Sequence, residues 1–147
     1  MMILNTATIV CIGLMIGAEF AVTAFINPVI WKLEDGAQMQ AVRLFATKLG
    51  FVMPIWYGLG FLLLLTETFI SRHDPHVAML AAASGIWALV IVMSLLVLVP
   101  INNRLAGSET AVVTETAQRD QRKWDTLHRV RVAALTTAMV MLLTSIR

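Results

Sequence analysis

Residues 123–147, KWDTLHRVRVAALTTAMVMLLTSIR, decide how the chain is read. The uncharged part, 132–146, is only 15 residues long. A helix needs about 20 residues to cross roughly 30 Å of hydrocarbon. To span, this segment must take in Leu127, His128, Arg129, Val130 and Arg131, which places a histidine and two arginines where lipid begins. At helical spacing Trp124, His128, Arg131 and Leu135 form one stripe. Arg129 lies about 100° from His128 around the axis, free to snorkel to head groups with Asp125 one turn before it. Ionisable groups at the depth of Arg131 usually face protein or a wet cavity. The plain alternative is that His128 and Arg131 both anchor the helix at the interface.

Three further apolar runs accompany it. The chain is 59% hydrophobic and 14% charged, against about 45–50% and 25% for soluble domains. With 147 residues it is sized for one domain, 1–147. Spanning helices are expected over 3–27, 49–70, 77–100 and 127–146. Each must satisfy its own backbone hydrogen bonds. Short connections then give an all-α, up-down-up-down four-helix transmembrane bundle, with cytoplasmic extensions of the second and fourth helices. The first run lacks a basic leader and carries Glu19, so it reads as a retained span rather than a cleaved signal. Asn27-Pro28 and Pro100 read as helix exits. Pro54 is expected to bend the second span. Gly107 and Ser108 read as a break and a cap before a helix over 110–123.

Charge sets the expected orientation. Of the eleven Lys and Arg, Arg72 and Arg147 share the face of the termini; the other nine lie on the opposite face. The positive-inside rule puts those nine in the cytoplasm and both termini outside, in an inner membrane of bacterial type. The net charge of +2 suggests no nucleic-acid partner. Cys11 is the sole cysteine, so no disulfide forms within one chain.

Polar residues gather at the cytoplasmic end. Glu19, Thr23 and Asn27 follow at i, i+4 and i+8 on the first span. Asn102, Asn103 and Arg104 leave the third, where the plain reading is a turn with amides capping carbonyls. A carboxylate such as Glu19 within the bilayer must be neutral or paired. Glu67, near the outer end of its span, reads as an ordinary interface residue. The segment HDPH (73–76) resembles a metal pair, but it is short, contains proline and is expected on the outer face, which disfavours metal binding. Apolar walls with a few placed polar groups describe a small-molecule pocket.

Three stretches carry a family resemblance: EFAVTAFINP (19–28), VPINNRLAG (99–107) and KWDTLHRVR (123–131). In order and spacing, over nearly the whole chain, they resemble the anthrone oxygenase-like family of small four-helix membrane proteins, most of whose members carry no assigned reaction. The resemblance implies oxidation of an anthrone methylene by dioxygen, with no cofactor and with a lipophilic aromatic as substrate. Such chemistry needs a base and a cradle for an oxyanion. His128 is the expected base. Arg131, with Arg104 second, would hold the oxyanion, and Asn102 or Asn103 the substrate's phenols. Trp124 would stack on the rings, Asn27 would lie beside them, and Glu19 would accept a proton deeper in the bundle. A metal or haem recruited through His128 alone stays open, as does pairing into a homo-oligomer through small-residue faces. The other reading is a non-enzymatic binder, transporter subunit or scaffold. A transporter would place its site near midplane, often among broken helices or repeats, whereas these residues cluster at one end.

Overall fold

A computed structural model describes residues 2–107 and 114–145. Four helices make up the bundle: α1 (Met2–Ile30), α2 (Asp35–Ile70), α3 (Val77–Ala106) and α4 (Glu115–Ser145), all long and apolar enough to cross a membrane. Each packs on the next in the chain, and α4 closes the ring against α1. Much of the outer surface is apolar: Phe20, Phe25, Phe51, Leu62, Phe69, Leu89 and Leu96 are all more than half exposed. So continuous a patch has no place in water and fits contact with lipid. At 1.5 Å per residue, α2 and α4 are about 54 and 46 Å long, well beyond the hydrocarbon thickness. Their polar N-terminal ends lie side by side, joined by the amide pair Gln38–Gln121 at 3.0 Å. The expected cap at Ser108 and the helix start over 110–113 lie outside the described residues.

Two sequence expectations fail at prolines. Asn27-Pro28 and Pro100 do not end their helices. Asn27 (φ −59°, ψ −44°) and Val99 (φ −62°, ψ −46°) stay helical, and α1 and α3 run on to Ile30 and Ala106. In both cases a π-helical turn lies just upstream, over Val22–Ile26 in α1 and Ser94–Leu98 in α3. A proline ring crowds the carbonyl four residues earlier and brings no N–H. Within lipid, a local widening of the helix re-satisfies the freed groups and lets the rod continue. Pro54 lies inside α2, which runs unbroken through it.

The interior has three layers along the bundle axis. Ile12, Met15, Leu64, Leu80, Trp87, Leu135 and Leu142 belong to one apolar cluster. Ile30, Val42, Ala46, Ile101 and Leu105 form a second, near the polar ends of α2 and α4. Glu19 on α1, Ser94 on α3, and His128 and Arg131 on α4 fall between them in sequence, so a polar layer separates two greasy ones. Lipid tails are as apolar as leucine, so close packing must hold such helices together. Trp87, 0% exposed, lies over Gly60 and donates its indole N–H to the Tyr57 carbonyl at 3.0 Å. A Cβ at Gly60 would come within 2.7 Å of that ring, whereas a Cβ at Gly58 would meet nothing within 4 Å.

That contrast predicts that Gly60→Ala lowers stability by about 1–3 kcal/mol through overpacking, while Gly58→Ala leaves it unchanged. Thermal unfolding of both variants in the same detergent checks this, and equal midpoints would remove Trp87 as a fixed strut.

Candidate functional site

The site grows from the π-turn of α1. In a regular helix, positions eight apart sit about 80° apart around the axis. One residue absorbed by the wider turn brings Glu19 and Asn27 to within about 20°, and both engage α4. Threonines elsewhere in the chain donate to the carbonyl four residues before them, as Thr66 and Thr136 do. Thr23 does not: the carbonyl four before it belongs to Glu19, which accepts instead from His128 Nε2 at 3.1 Å. Among the described residues the buried Thr23 hydroxyl has no hydrogen-bond partner.

The Glu19 carboxylate, 1% exposed, is held at both oxygens. Oε1 accepts from the Tyr57 hydroxyl at 3.0 Å, and Oε2 accepts from Arg131 Nη2 at 2.7 Å. Arg131 Nη2 also donates to His128 Nδ1 at 2.8 Å. One imidazole tautomer satisfies both of these contacts. A carbonyl only accepts, so the proton sits on Nε2. A guanidinium only donates, so Nδ1 presents its lone pair. That tautomer is neutral; Nδ1 is also 3.1 Å from Glu19 Oε2. Trp124 covers the outer face of the imidazole, the rings stacked at 4.5 Å and 12°. Arg131 is 8% exposed. Its guanidinium lies 5.4 Å from the Tyr57 ring centre and makes a long contact of 3.4 Å with Ser94, while its Nε is buried with no hydrogen-bond partner among the described residues.

A cavity of about 250 Å³ adjoins this cluster. α2 and α3 supply most of its wall, including Met53, Pro54, Gly58, Ile91, Leu95 and Leu98. Its polar lining comprises Tyr57, Ser94, Asn102, Asn103, Trp124 and Arg131. It reaches the bundle surface at Asn103 and Leu95, both exposed. A second space of about 40 Å³ lies next to it and shares Leu49, Asn102 and Trp124.

The candidates from sequence separate into groups. Arg131, Asn102, Asn103 and Trp124 come together at the larger cavity. Asn102 also donates to the Ala46 carbonyl at 2.8 Å, so one amide hydrogen serves to join α3 to α2. His128 and Glu19 do not line the cavity; they stand behind Arg131. Both ring nitrogens of His128 are engaged, Nε2 with the Glu19 carbonyl and Nδ1 with Arg131. Asn27 lines the smaller space and donates to Asp125 at 2.9 Å. Arg104, on the outside, makes a two-pronged pair with Asp120 at 2.7 and 2.9 Å. Arg129 is exposed. Asp125 is buried and turned to α1, where it accepts from Asn27 and from Trp31 at 2.5 Å.

Sequence reasoning missed Tyr57, although it is the chain's one tyrosine and lies in an apolar span. That setting is a usable signal, since a buried phenol seeks a partner. Ser94 gave no such signal. Glu67 is a correction: it is 2% exposed rather than at an aqueous interface, and accepts from Thr8 of α1 at 3.1 Å. Position near the end of a span does not fix exposure; the side of the helix does.

A family profile described as Anthrone oxygenase matches residues 41–141, over half of the chain. The chain belongs to the anthrone oxygenase family. The match takes in Tyr57, Asn102, Asn103, Trp124, His128 and Arg131, and begins after Glu19 and Asn27. No curated protein and no solved structure matches the chain.

Removing one member of a buried ion pair strands the other. Arg131→Met should therefore cost about 3–5 kcal/mol, and replacing Glu19 by Met as well should recover most of that loss. Unfolding midpoints of the single and double variants in detergent test this; a double variant no more stable than the single would show that the two side chains are not coupled.

Proposed function

We propose that this member of the anthrone oxygenase family is a membrane-embedded oxygenase of a lipophilic aromatic ketone of the anthrone type. One observation carries the reading: a guanidinium, anchored from behind by a carboxylate and an imidazole, forms part of the wall of an otherwise largely apolar cavity. Flat aromatic rings suit the space between Met53, Pro54, Ile91 and Leu98, whose volume of about 250 Å³ falls just below the roughly 300–1,000 Å³ typical of ligand pockets. Both the substrate and dioxygen dissolve in lipid, so the bilayer supplies them to a cavity that reaches the bundle surface. In this reading the polar end faces the cytoplasm.

The reaction asks for a group that stabilises negative charge as it forms. Loss of a methylene proton turns the ketone into an electron-rich enolate. That anion gives one electron to dioxygen; the organic radical and superoxide combine into a peroxide anion. Once protonated, the hydroperoxide loses water to leave the second carbonyl. Overall, one anthrone and one dioxygen give one anthraquinone and one water. Arg131 accompanies the enolate oxygen through these steps. Its Nη1, held only by the long contact to Ser94, is the donor still available for that task. Fixed donors aimed at developing charge act most strongly where water is excluded. His128 holds Arg131 in place through Nδ1, and Trp124 seals the imidazole.

Oxygen uptake by the purified protein in lipid nanodiscs, with anthrone added, tests the reading. Arg131→Gln should lower turnover about 10²–10³-fold, the usual effect of losing one oxyanion donor. Gly58→Leu, which fills the cavity from a position with open space, should raise KM or abolish uptake without shifting the unfolding midpoint. Uptake no faster than from empty nanodiscs would make the protein a binder or scaffold instead.

A further inference from the structure

Oxidation of an anthrone requires a place for its proton, and the side chains around the cavity narrow the choice. Groups that face Glu19 come from two helices: Tyr57 on α2, and His128 and Arg131 on α4. Of these only Tyr57 and Arg131 also line the cavity. Arg131 has no lone pair to offer. His128 stands behind the wall, and a proton on Nδ1 would face the Arg131 Nη2 donor at 2.8 Å, setting two cations together. Tyr57 has the remaining qualification. It belongs to the cavity wall, and its hydroxyl already donates to a carboxylate oxygen at 3.0 Å.

Resting on the oxygenase reading, we infer that Tyr57 is a catalytic residue: its oxygen takes the substrate proton as its own proton passes to Glu19 Oε1. The transfer breaks the substrate C–H bond and the Tyr57 O–H bond. It makes a new Tyr57 O–H and a Glu19 O–H, so one proton has moved and no electron has left the substrate. Charge in the buried layer stays balanced. Before the step, Glu19 is negative and Arg131 positive; afterwards Glu19 is neutral and Arg131 pairs with the enolate. An enolate formed without this exchange would add an uncompensated charge to a site that charges enter at high cost. The same proton returns along the same path to the peroxide anion, which restores Glu19 and its pair with Arg131. His128 is a positioning residue, since it touches Arg131 and not the cavity.

The step can be watched apart from the oxygen chemistry. Anthrone mixed with the protein in nanodiscs under argon should give the absorption and fluorescence of the bound anthranolate at neutral pH. Tyr57→Phe keeps the ring in the wall and should lose that signal. In air it should consume oxygen at least 100-fold more slowly, in line with the usual worth of general acid–base catalysis, with KM within about threefold. Its rate should recover as the pH is raised far enough for the substrate to ionise unaided. Glu19→Gln, which still accepts the Tyr57 hydrogen bond, should behave likewise, and it serves if the phenylalanine variant does not fold. Anion formation undiminished in a folded Tyr57→Phe or Glu19→Gln protein overturns the relay, while oxygen uptake by the wild type still supports the oxygenase reading. Anion formed under argon by the wild type and lost in both variants, with no uptake in air, supports the relay and overturns the oxygenase. Neither anion nor uptake in the wild type overturns both.

Discussion

A carboxylate and a guanidinium facing one another inside a bilayer govern this structure. Neither Glu19 nor Arg131 could stand alone at that depth, and together they still need help, because an ion pair leaves lone pairs and protons over. The neighbours are arranged around those leftovers. Tyr57 takes the second carboxylate oxygen, His128 the second hydrogen of Nη2, and the Glu19 carbonyl the imidazole N–H. Three helices are thereby fixed in register by groups that have no equivalent partner elsewhere in the membrane.

The backbone adjusts to meet this demand. Both π-turns lie at or beside the polar layer, one just after Glu19 and the other beginning at Ser94. Both precede a proline. The bulge in α1 aligns Glu19 with Asn27, so that one face of α1 reaches both Arg131 and Asp125 of α4. What looks in each helix like a tolerated defect also sets the facing of its side chains.

Much of this was legible from the residues. Four spans followed from run lengths. The inward stripe of Trp124, His128, Arg131 and Leu135 followed from 3.6-residue spacing, and the outward Arg129 from its angle. Convergence of Arg131, Asn102, Asn103 and Trp124 followed from helix ends lying at one level. Other features could not be read this way. The fate of Asn27-Pro28 depends on a widened turn with no composition of its own. Arg104 reads the same whether it meets a ligand or Asp120, because the partner lies across a loop. Glu67 and Tyr57 each depend on which way a uniformly greasy helix is rotated, and such a helix carries no pattern to say so.

The division of labour around the cavity has a consequence for how such a protein can change. Its charges reside almost wholly on α1 and α4, whereas most of the chamber's shape comes from α2 and α3. Residues such as Met53, Gly58, Ile91 and Leu95 touch the hollow without holding the ion pair. Exchanges among them could reshape the space for a broader or narrower ring system while the reactive machinery stays as it was, so that new molecules come within reach of old chemistry.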